Sequence, residues 1–159
     1  MPSITLRTAL PQDRDTVVEL IHQLNVFEAD LVGDRRRDYD GANAYYDELM
    51  IRLSRRNGRI VLAEAGGIVV GVMGFSLDQD AAYVAAEVRS HGTVTDLIIH
   101  EEWRGKGIGR MLLREAERLT KEAGLTRLMI GALVANERAV RTYSQFGFEP
   151  YVSFLKKEL

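Results

Sequence analysis

Apolar residues in the first half of the chain follow two spacings, one typical of helices and one typical of strands. Behind Asp13, and again over residues 42–56, they recur three and four positions apart, which predicts two amphipathic helices, the first capped by Asp13. Short runs bounded by turn residues predict strands over residues 4–7, 59–64 and 68–77. Gly66 and Gly67 separate the last two runs and predict a tight β-hairpin.

The second half alternates strand-like and helix-like segments after a predicted loop over residues 78–92. Residues 93–99 are largely apolar on both faces apart from Asp96, which predicts a central strand covered on both sides. Amphipathic spacing predicts helices from Gly107 to Gly124 and from Asn136 to Gly147. Further strands are predicted over residues 126–134 and 148–155. This order predicts an α/β fold in which a mixed sheet carries helices on both faces.

The composition is that of a single globular domain spanning residues 1–159, with 46% hydrophobic and 28% charged side chains. A net charge of −2 gives no electrostatic reason to expect a nucleic-acid partner. The chain has no cysteine, which excludes disulfides, thiolate metal sites and a cysteine nucleophile, and which fits a cytoplasmic protein. Neither a signal peptide nor a membrane span is recognisable, so no membrane partner is expected. His22, His91 and His100 lack metal-ligand spacing, so no metal is expected.

A glycine-rich loop, Arg-Gly-Lys-Gly-Ile-Gly over residues 104–109, joins the central strand to the next helix. Such loops bind phosphates, because the first amides of a helix lack partners and glycine lets a ligand approach the backbone. A P-loop would need Ser or Thr after Lys106, where Gly107 stands. A dinucleotide-binding fingerprint would need a glycine where Arg110 stands.

Two spaced motifs together resemble those of the GCN5-related N-acetyltransferase (GNAT) superfamily. The first is Arg104-x-x-Gly107-x-Gly109, and the second, one strand later, is Asn136-x-x-Ala139-x-x-x-Tyr143-x-x-x-Gly147-Phe148. The resemblance covers residues 93–151, while the first half of the chain matches only in the order of its elements. It implies a mostly antiparallel sheet of six to seven strands, about four helices, and a splayed central strand pair that opens a cofactor cleft.

The resemblance also implies an enzyme that transfers an acetyl group from acetyl-CoA to an amine. Residues 93–159 would bind the acyl-CoA and residues 1–92 the acceptor. The loop would wrap the pyrophosphate, the backbone of the preceding strand would pair with the pantetheine arm, and Asn136 would contact the cofactor or simply cap its helix. The cofactor-binding residues are then Leu97, Ile98, Ile99, Arg104, Gly105, Lys106, Gly107, Ile108, Gly109, Arg110, Asn136, Ala139 and Tyr143.

Tyr143 matches the family tyrosine that protonates the departing thiolate, a role that suits a phenol protonated at neutral pH. Histone-type relatives carry a glutamate base where this chain has Thr93, so the base is open. Asp96 is the only carboxylate in that strand, and Glu64, Glu87, His100 or ordered water are alternatives. Without a nucleophile motif, direct attack of the amine in a ternary complex is expected.

Several identities stay open at the level of sequence. The charged segment over residues 28–40 borders the acceptor site in the family, although most of its charges are expected to be solvated. The acceptor is a small-molecule or a protein amine, the length of the acyl chain is undetermined, and a homodimer is neither required nor excluded. A non-catalytic coenzyme A sensor is the main alternative, and a nucleotide-binding regulator is a third.

Overall fold

Five strands and five helices form the fold over residues 2–159, the part of the chain that the computed structural model describes. Two single turns of 3-10 helix, Pro11–Asp13 and Glu101–Trp103, lie between them. In chain order the elements are β1 (Ile4–Thr8), α1 (Arg14–Val32), α2 (Tyr39–Arg55), β2 (Arg59–Ala65), β3 (Ile68–Gln79), α3 (Ala86–Arg89), β4 (Ser90–Ile99), α4 (Ile108–Glu122), β5 (Leu128–Ile130) and α5 (Glu137–Phe146).

The strands follow one another in a single sheet, in the order β1-β2-β3-β4-β5. The pairs from β1 to β4 are antiparallel, and β5 runs parallel to β4. Helices α1 and α2 pack on one face over a core that includes Leu62, Val72 and Ile98. Helix α4 packs on the other face over Met73 and Val94. The prediction that β4 is covered on both sides is therefore confirmed.

A β-bulge interrupts β4 in the middle of the sheet. Gly74 pairs with Asp96 while its neighbour Phe75 pairs with Val94, so Thr95 is an extra residue with no partner in β3. On its other side β4 pairs with β5 only as far as Val94. From residue 95 to Ile99 this side of β4 has no partner strand, while the pairing with β3 continues. The two parallel strands thus diverge after the bulge, which gives the splayed pair that the resemblance implied.

The last two strands predicted for the second half are shortened or absent, whereas β4 begins three residues earlier than predicted, at Ser90. The strand expected over residues 126–134 is limited to Leu128–Ile130, because β4 turns away after Val94 and leaves the next residues without a backbone partner. The strand expected over residues 148–155 is absent: residues 147–159, all of them described, form no helix or strand. The sheet accordingly has five strands instead of six to seven, and the helices number five when the single turn α3 is included.

Local signals in the first half are mostly confirmed. Gly66 and Gly67 take φ values of 57° and 82°, as the predicted hairpin turn requires. Asp13 does not cap α1 with its side chain. Its carboxylate instead accepts hydrogen bonds from Arg7 at 2.8 Å and from the Leu10 amide at 2.6 Å, and these bonds lower the pKa of Asp13 to about 2. No helix among the described residues has the length and apolarity that a membrane crossing requires.

Candidate active site

A cavity of about 550 Å³ opens where β4 and β5 diverge. Its wall comes from the end of β4, the loop after it, the starts of α4 and α5, and one face of α1. All the residues predicted to bind acetyl-CoA line this cavity except Lys106. Residues far apart in the chain therefore share one cleft, and most of them belong to the two motifs.

The glycine-rich loop presents its backbone to the cavity. Gly105 and Gly107 have φ values of 75° and 80°, a left-handed conformation that side chains with a Cβ rarely adopt. The Met111 amide donates to the Gly107 carbonyl at 3.0 Å, which begins the hydrogen bonding of α4. The amides of residues 108–110 precede this bond and have no acceptor within the helix, so they can bind an anion.

Positive side chains surround this loop. Arg104 and Arg110 line the cavity, and Arg138 contributes from the first turn of α5. The Arg104 Nε donates to the Ile99 carbonyl at 3.1 Å, which fixes that guanidinium at the end of β4. Lys106 does not line the cavity itself, but its Nζ lies 4.5 Å from the centre of the ring of Trp103, which does. The loop therefore combines free amides with several cations, which is the chemistry that a pyrophosphate requires.

The exposed edge of β4 forms a second side of the cavity. Leu97, Ile98 and Ile99 line it, beyond the last residue that pairs with β5. Their backbone is still paired with β3 on the other side, for example Leu97 with Met73. The outer edge can accept an extended ligand arm as an added strand would, without use of side chains.

Asn136 both caps α5 and lines the cavity. Its Oδ1 accepts a hydrogen bond from the Ala139 amide at 3.2 Å, which is the geometry of a helix cap. Asn136 and Ala139 are also part of the cavity wall. Asn136 can therefore cap its helix and also contact a ligand in the cavity, the two roles considered for it from the sequence.

Tyr143 lies on the cavity side of α5, near charges from two other elements. Burial, with the nearby charges of Glu28 and Asp96, raises its pKa to about 12. Its ring packs edge-to-face against Phe148 at 6.1 Å between centroids. The phenol is thus held in place and stays protonated at neutral pH, so it can donate a proton but cannot easily serve as a base.

Asp96 directly precedes the cavity-lining residue Leu97 in β4 and is hydrogen-bonded to Tyr45, a residue that sequence reasoning missed. The Tyr45 hydroxyl on α2 lies 2.9 and 3.0 Å from the two carboxylate oxygens of Asp96. Burial raises the pKa of Asp96, and the bond from Tyr45 only partly opposes that effect. The Tyr45 pKa is raised as well, by burial and by the charge of Asp96. Asp96 is therefore a buried carboxylate with increased proton affinity.

The other candidate bases lie in different surroundings. Glu64 is held by Arg7 across β1 and β2 at 2.7 Å, and Glu87 belongs to the single turn α3. The Thr93 hydroxyl contacts the Nδ1 of His91 at 3.2 Å. His100 has a buried Nδ1 without a hydrogen-bond partner. None of the three alternative bases, Glu64, Glu87 and His100, lines the cavity, and Thr93 does not line it either.

The charged segment over residues 28–40 is largely neutralised by its own ion pairs. Arg35 bonds Glu28 at 2.9 Å, and Arg37 bonds Asp30 at 2.7 Å. Arg36 bonds Asp38 at 2.9 Å, and the Asp38 carboxylate also accepts from the Gly41 amide at the start of α2. These contacts give the segment a structural role in joining α1 to α2.

Three cavity residues on α1 were also missed by the sequence analysis: Gln23, Leu24 and Phe27. Phe27 is 39% exposed, which is high for an aromatic residue on an amphipathic helix. No sequence pattern marked Tyr45 as a site residue. It lies outside the buried apolar stripe of α2, to which its neighbour Tyr46 belongs. In the described chain, no group of three His, Cys, Asp or Glu side chains is arranged to hold a metal ion.

Known proteins match this chain in sequence and in fold. The chain is 28% identical over 148 residues to the IAA acetyltransferase of Azospirillum brasilense, which covers 93% of this chain and 86% of that protein. A GCN5-related N-acetyltransferase from Ralstonia eutropha JMP134 superposes with a TM-score of 0.77 at 19% identity, over 98% of this chain and 99% of the other. An aminoglycoside antibiotic 6'-N-acetyltransferase from Acinetobacter haemolyticus gives a TM-score of 0.71 at 17% identity, over 98% and 99%.

The two structural likenesses, both below 25% identity, show the fold alone. The family model of the acetyltransferase (GNAT) family matches residues 22–148, a span that contains the cavity, both motifs and the β4 bulge. The chain belongs to the GNAT acetyltransferase family.

Proposed function

We propose that this protein is an acetyl-CoA-dependent N-acetyltransferase that moves an acetyl group to a primary amine. The observation that carries the proposal is the single cavity that joins an anion-binding loop to a buried, protonated tyrosine. A phosphate-binding site alone would suit many ligands. A proton donor at the other end of the same cleft favours a reaction in which a leaving group takes up a proton.

The donor half of the cavity has the groups that coenzyme A needs. Free amides of the loop and the cations Arg104, Arg110 and Arg138 suit the pyrophosphate. The unpaired outer edge of β4 suits the amides of the pantetheine arm. Bound acetyl-CoA would supply a thioester whose carbonyl carbon an amine can attack.

Tyr143 is proposed as the general acid. As the amine nitrogen forms its bond to the carbonyl carbon, the carbon–sulfur bond breaks and the sulfur leaves with the electron pair. The Tyr143 hydroxyl donates its proton to that sulfur and is reprotonated from solvent. A pKa of about 12 ensures that the phenol carries this proton at the start of each turnover.

Asp96 is proposed as the group that takes up the proton of the amine. An alkylammonium must lose a proton before it can attack, and a carboxylate whose pKa burial has raised accepts that proton more readily. Asp96 does not line the cavity, so the proton would reach it through water and not by direct contact. Tyr45 would hold the carboxylate in position through its bond to both oxygens.

The acceptor is proposed to approach from the side of α1. Gln23, Leu24 and Phe27 form the cavity wall that the donor motifs do not supply. This largely apolar wall suits an amine with an apolar neighbouring group, on a small molecule or on a protein. The resulting reaction is direct transfer within a ternary complex.

The experiment that tests this function follows release of free thiol from acetyl-CoA in the presence of a panel of small amines and N-terminal peptides. At least one amine should accelerate thiol release well above the rate without amine, with formation of the matching amide. Tight binding of acetyl-CoA with no acceleration by any amine would instead favour a coenzyme A sensor. Binding of ATP or NAD in preference to coenzyme A would favour a nucleotide-binding regulator.

A further inference from the structure

A second cavity, of about 400 Å³, opens beside the start of α1. Its wall comes from the turn between β1 and α1, from the first residue of α1, from α2 and from the start of β2. Among the described residues, none lines both this cavity and the one that contains Tyr143. Its volume lies in the range of small-molecule sites. A molecule bound there would be neither the donor nor the acceptor of the proposed reaction.

Most of the wall of the second cavity is apolar. Leu10 and Met50 line it and are 51% and 41% exposed, while Tyr46 lines it and is largely buried. The Ala9 amide donates to the Ile60 carbonyl at 2.8 Å, which joins the chain after β1 to the start of β2 at this wall. Apolar side chains left exposed around a concave surface are typical of a site that binds an apolar group.

The charge on this wall comes from two arginines, Arg14 and Arg59, and no Asp or Glu is among the described residues that line it. The Arg14 guanidinium is fixed in place, because its Nη1 donates to Asp47 at 2.7 Å and its central carbon lies 4.6 Å from the centre of the Tyr46 ring. Arg59 is exposed and has no carboxylate within 4.0 Å in residues 2–159. The wall therefore carries a positive charge that the chain itself does not neutralise.

We propose that the second cavity is a ligand site of its own, which binds a small molecule that carries a carboxylate on an apolar body. The carboxylate would pair with Arg59 and Arg14, since a guanidinium and a carboxylate match as planar groups. Within residues 2–159 the Arg14 Nε makes no hydrogen bond, so it keeps a donor for this anion. The apolar body would lie against Tyr46 and Met50.

The charges and the apolar wall together restrict the ligand. A cationic ligand would face two arginines, and a wholly apolar ligand would leave Arg59 without an anion. A bare inorganic anion would leave the apolar wall in water. The proposal goes beyond the acetyltransferase function and does not depend on it.

The first test uses phenylbutyrate as the probe and phenylbutanol, its neutral counterpart, in titration calorimetry with the full-length protein. Phenylbutyrate should bind saturably at one site, and the alcohol should bind at least about tenfold more weakly. The substitution Arg59→Glu should raise the Kd for phenylbutyrate by at least about tenfold. Because Arg59 is exposed, the circular dichroism of this variant should remain that of the folded protein.

The matched control is Arg114→Glu, which changes the net charge by the same amount. Arg114 is exposed on α4, across the sheet from α1 and α2, and lines neither cavity. Its substitution should change the Kd for phenylbutyrate by less than about twofold. An equal loss of affinity in the two variants would mean that the probe responds to net charge and not to this cavity, which would overturn the proposal.

The second test locates the probe, because arginines also line the first cavity. In two-dimensional amide NMR spectra, phenylbutyrate should shift the signals of residues 8–10 and 58–60 and leave those of residues 104–110 in place. Shifts confined to residues 104–110, no saturable binding up to about 10 mM, equal binding of the acid and the alcohol, or a Kd unchanged by Arg59→Glu would each overturn the proposal. None of these measurements involves acetyl transfer, so failure of the proposed activity would leave them unaffected.

Discussion

At the scale of single residues, burial acts on two ionisable side chains beside the cavity and raises the pKa of both. For Tyr143 the consequence is a phenol that keeps its proton, and for Asp96 it is a carboxylate that accepts one more readily than an exposed carboxylate would. The same physical cause thus prepares one group to donate and the other to accept. The pH dependence of catalysis follows from these two directions.

The substitution Asp96→Asn should lower kcat by roughly 100-fold, because it removes the proposed proton acceptor and leaves an amide that Tyr45 can still bond. In the wild type, kcat should fall as the pH falls through the raised pKa of Asp96, since only the ionised carboxylate accepts a proton. The variant should lose this acidic limb. No alkaline limb should come from Tyr143 below about pH 11, because its proton is lost only near its raised pKa.

The matched control for this pH profile is Glu64→Gln. Glu64 was another candidate base, but Arg7 holds it and it does not line the cavity, so its loss should leave the profile unchanged. If Asp96→Asn keeps the wild-type acidic limb, another group accepts the proton.

The sequence predicted those cavity residues that belong to one of the two motifs. Tyr143, Asn136 and the loop glycines were named because their spacing matches two motifs of one family. Tyr45 could not be found in this way, since its bond to Asp96 joins α2 to β4 across 51 positions of the chain. Lys106 belongs to the motif, yet its side chain lies against the ring of Trp103 and does not itself line the cavity, which spacing alone does not reveal.

At the scale of elements, the proposed donor site uses the start of α4 and not the rest of the helix. The N-cap of α4, Gly107, lines the cavity and takes a left-handed φ of 80°. Gly124 follows the other end of the same helix with a φ of 75°. An added Cβ would meet no heavy atom within 4 Å at either position. Both glycines therefore have the same left-handed backbone and open surroundings, but only Gly107 lines the cavity.

The substitutions Gly107→Ala and Gly124→Ala should therefore each destabilise the fold by about 1 kcal/mol, the cost of a left-handed non-glycine residue. Only Gly107→Ala should also weaken coenzyme A binding, by about tenfold in Kd, because relief of its strain moves the amides that hold the pyrophosphate. Thermal unfolding and titration calorimetry would measure the two effects. Equal affinity in the two variants would argue against the loop as the phosphate site.

Helices were predicted better than strands for a physical reason. The apolar residues of α4 recur at helical spacing over several turns of one continuous segment, so the local sequence is enough to predict the helix. The length of β5 depends instead on where β4 diverges from it, and the bulge at Thr95 that begins this divergence leaves no trace in the sequence of β5. The strand expected over residues 148–155 has strand composition but no partner in its own chain, and pairing is a property of two segments.

At the scale of the whole molecule, the cavity is the place where the two halves of the chain meet. Residues of α1 from the first half line the cavity together with the loop and α5 from the second half, and burial with the charges of Glu28 and Asp96 raises the pKa of Tyr143. The two cores on the faces of the sheet also combine both halves: Ile98 joins the core beneath α1 and α2, and Met73 and Phe75 join the core beneath α4. The proposed donor and acceptor sides therefore adjoin at Tyr143, which makes this residue the sharpest probe of the whole arrangement.

The most direct measurement compares kcat and the Kd for acetyl-CoA in the wild type and in Tyr143→Phe, with the same amine acceptor. Phenylalanine keeps the ring and its packing against Phe148 and removes only the hydroxyl. We expect kcat to fall by about 10²- to 10⁴-fold while Kd changes by less than about twofold, because the hydroxyl acts on the leaving sulfur and not on the bound pyrophosphate. An unchanged kcat would contradict the assignment of Tyr143 as the acid that completes acetyl transfer.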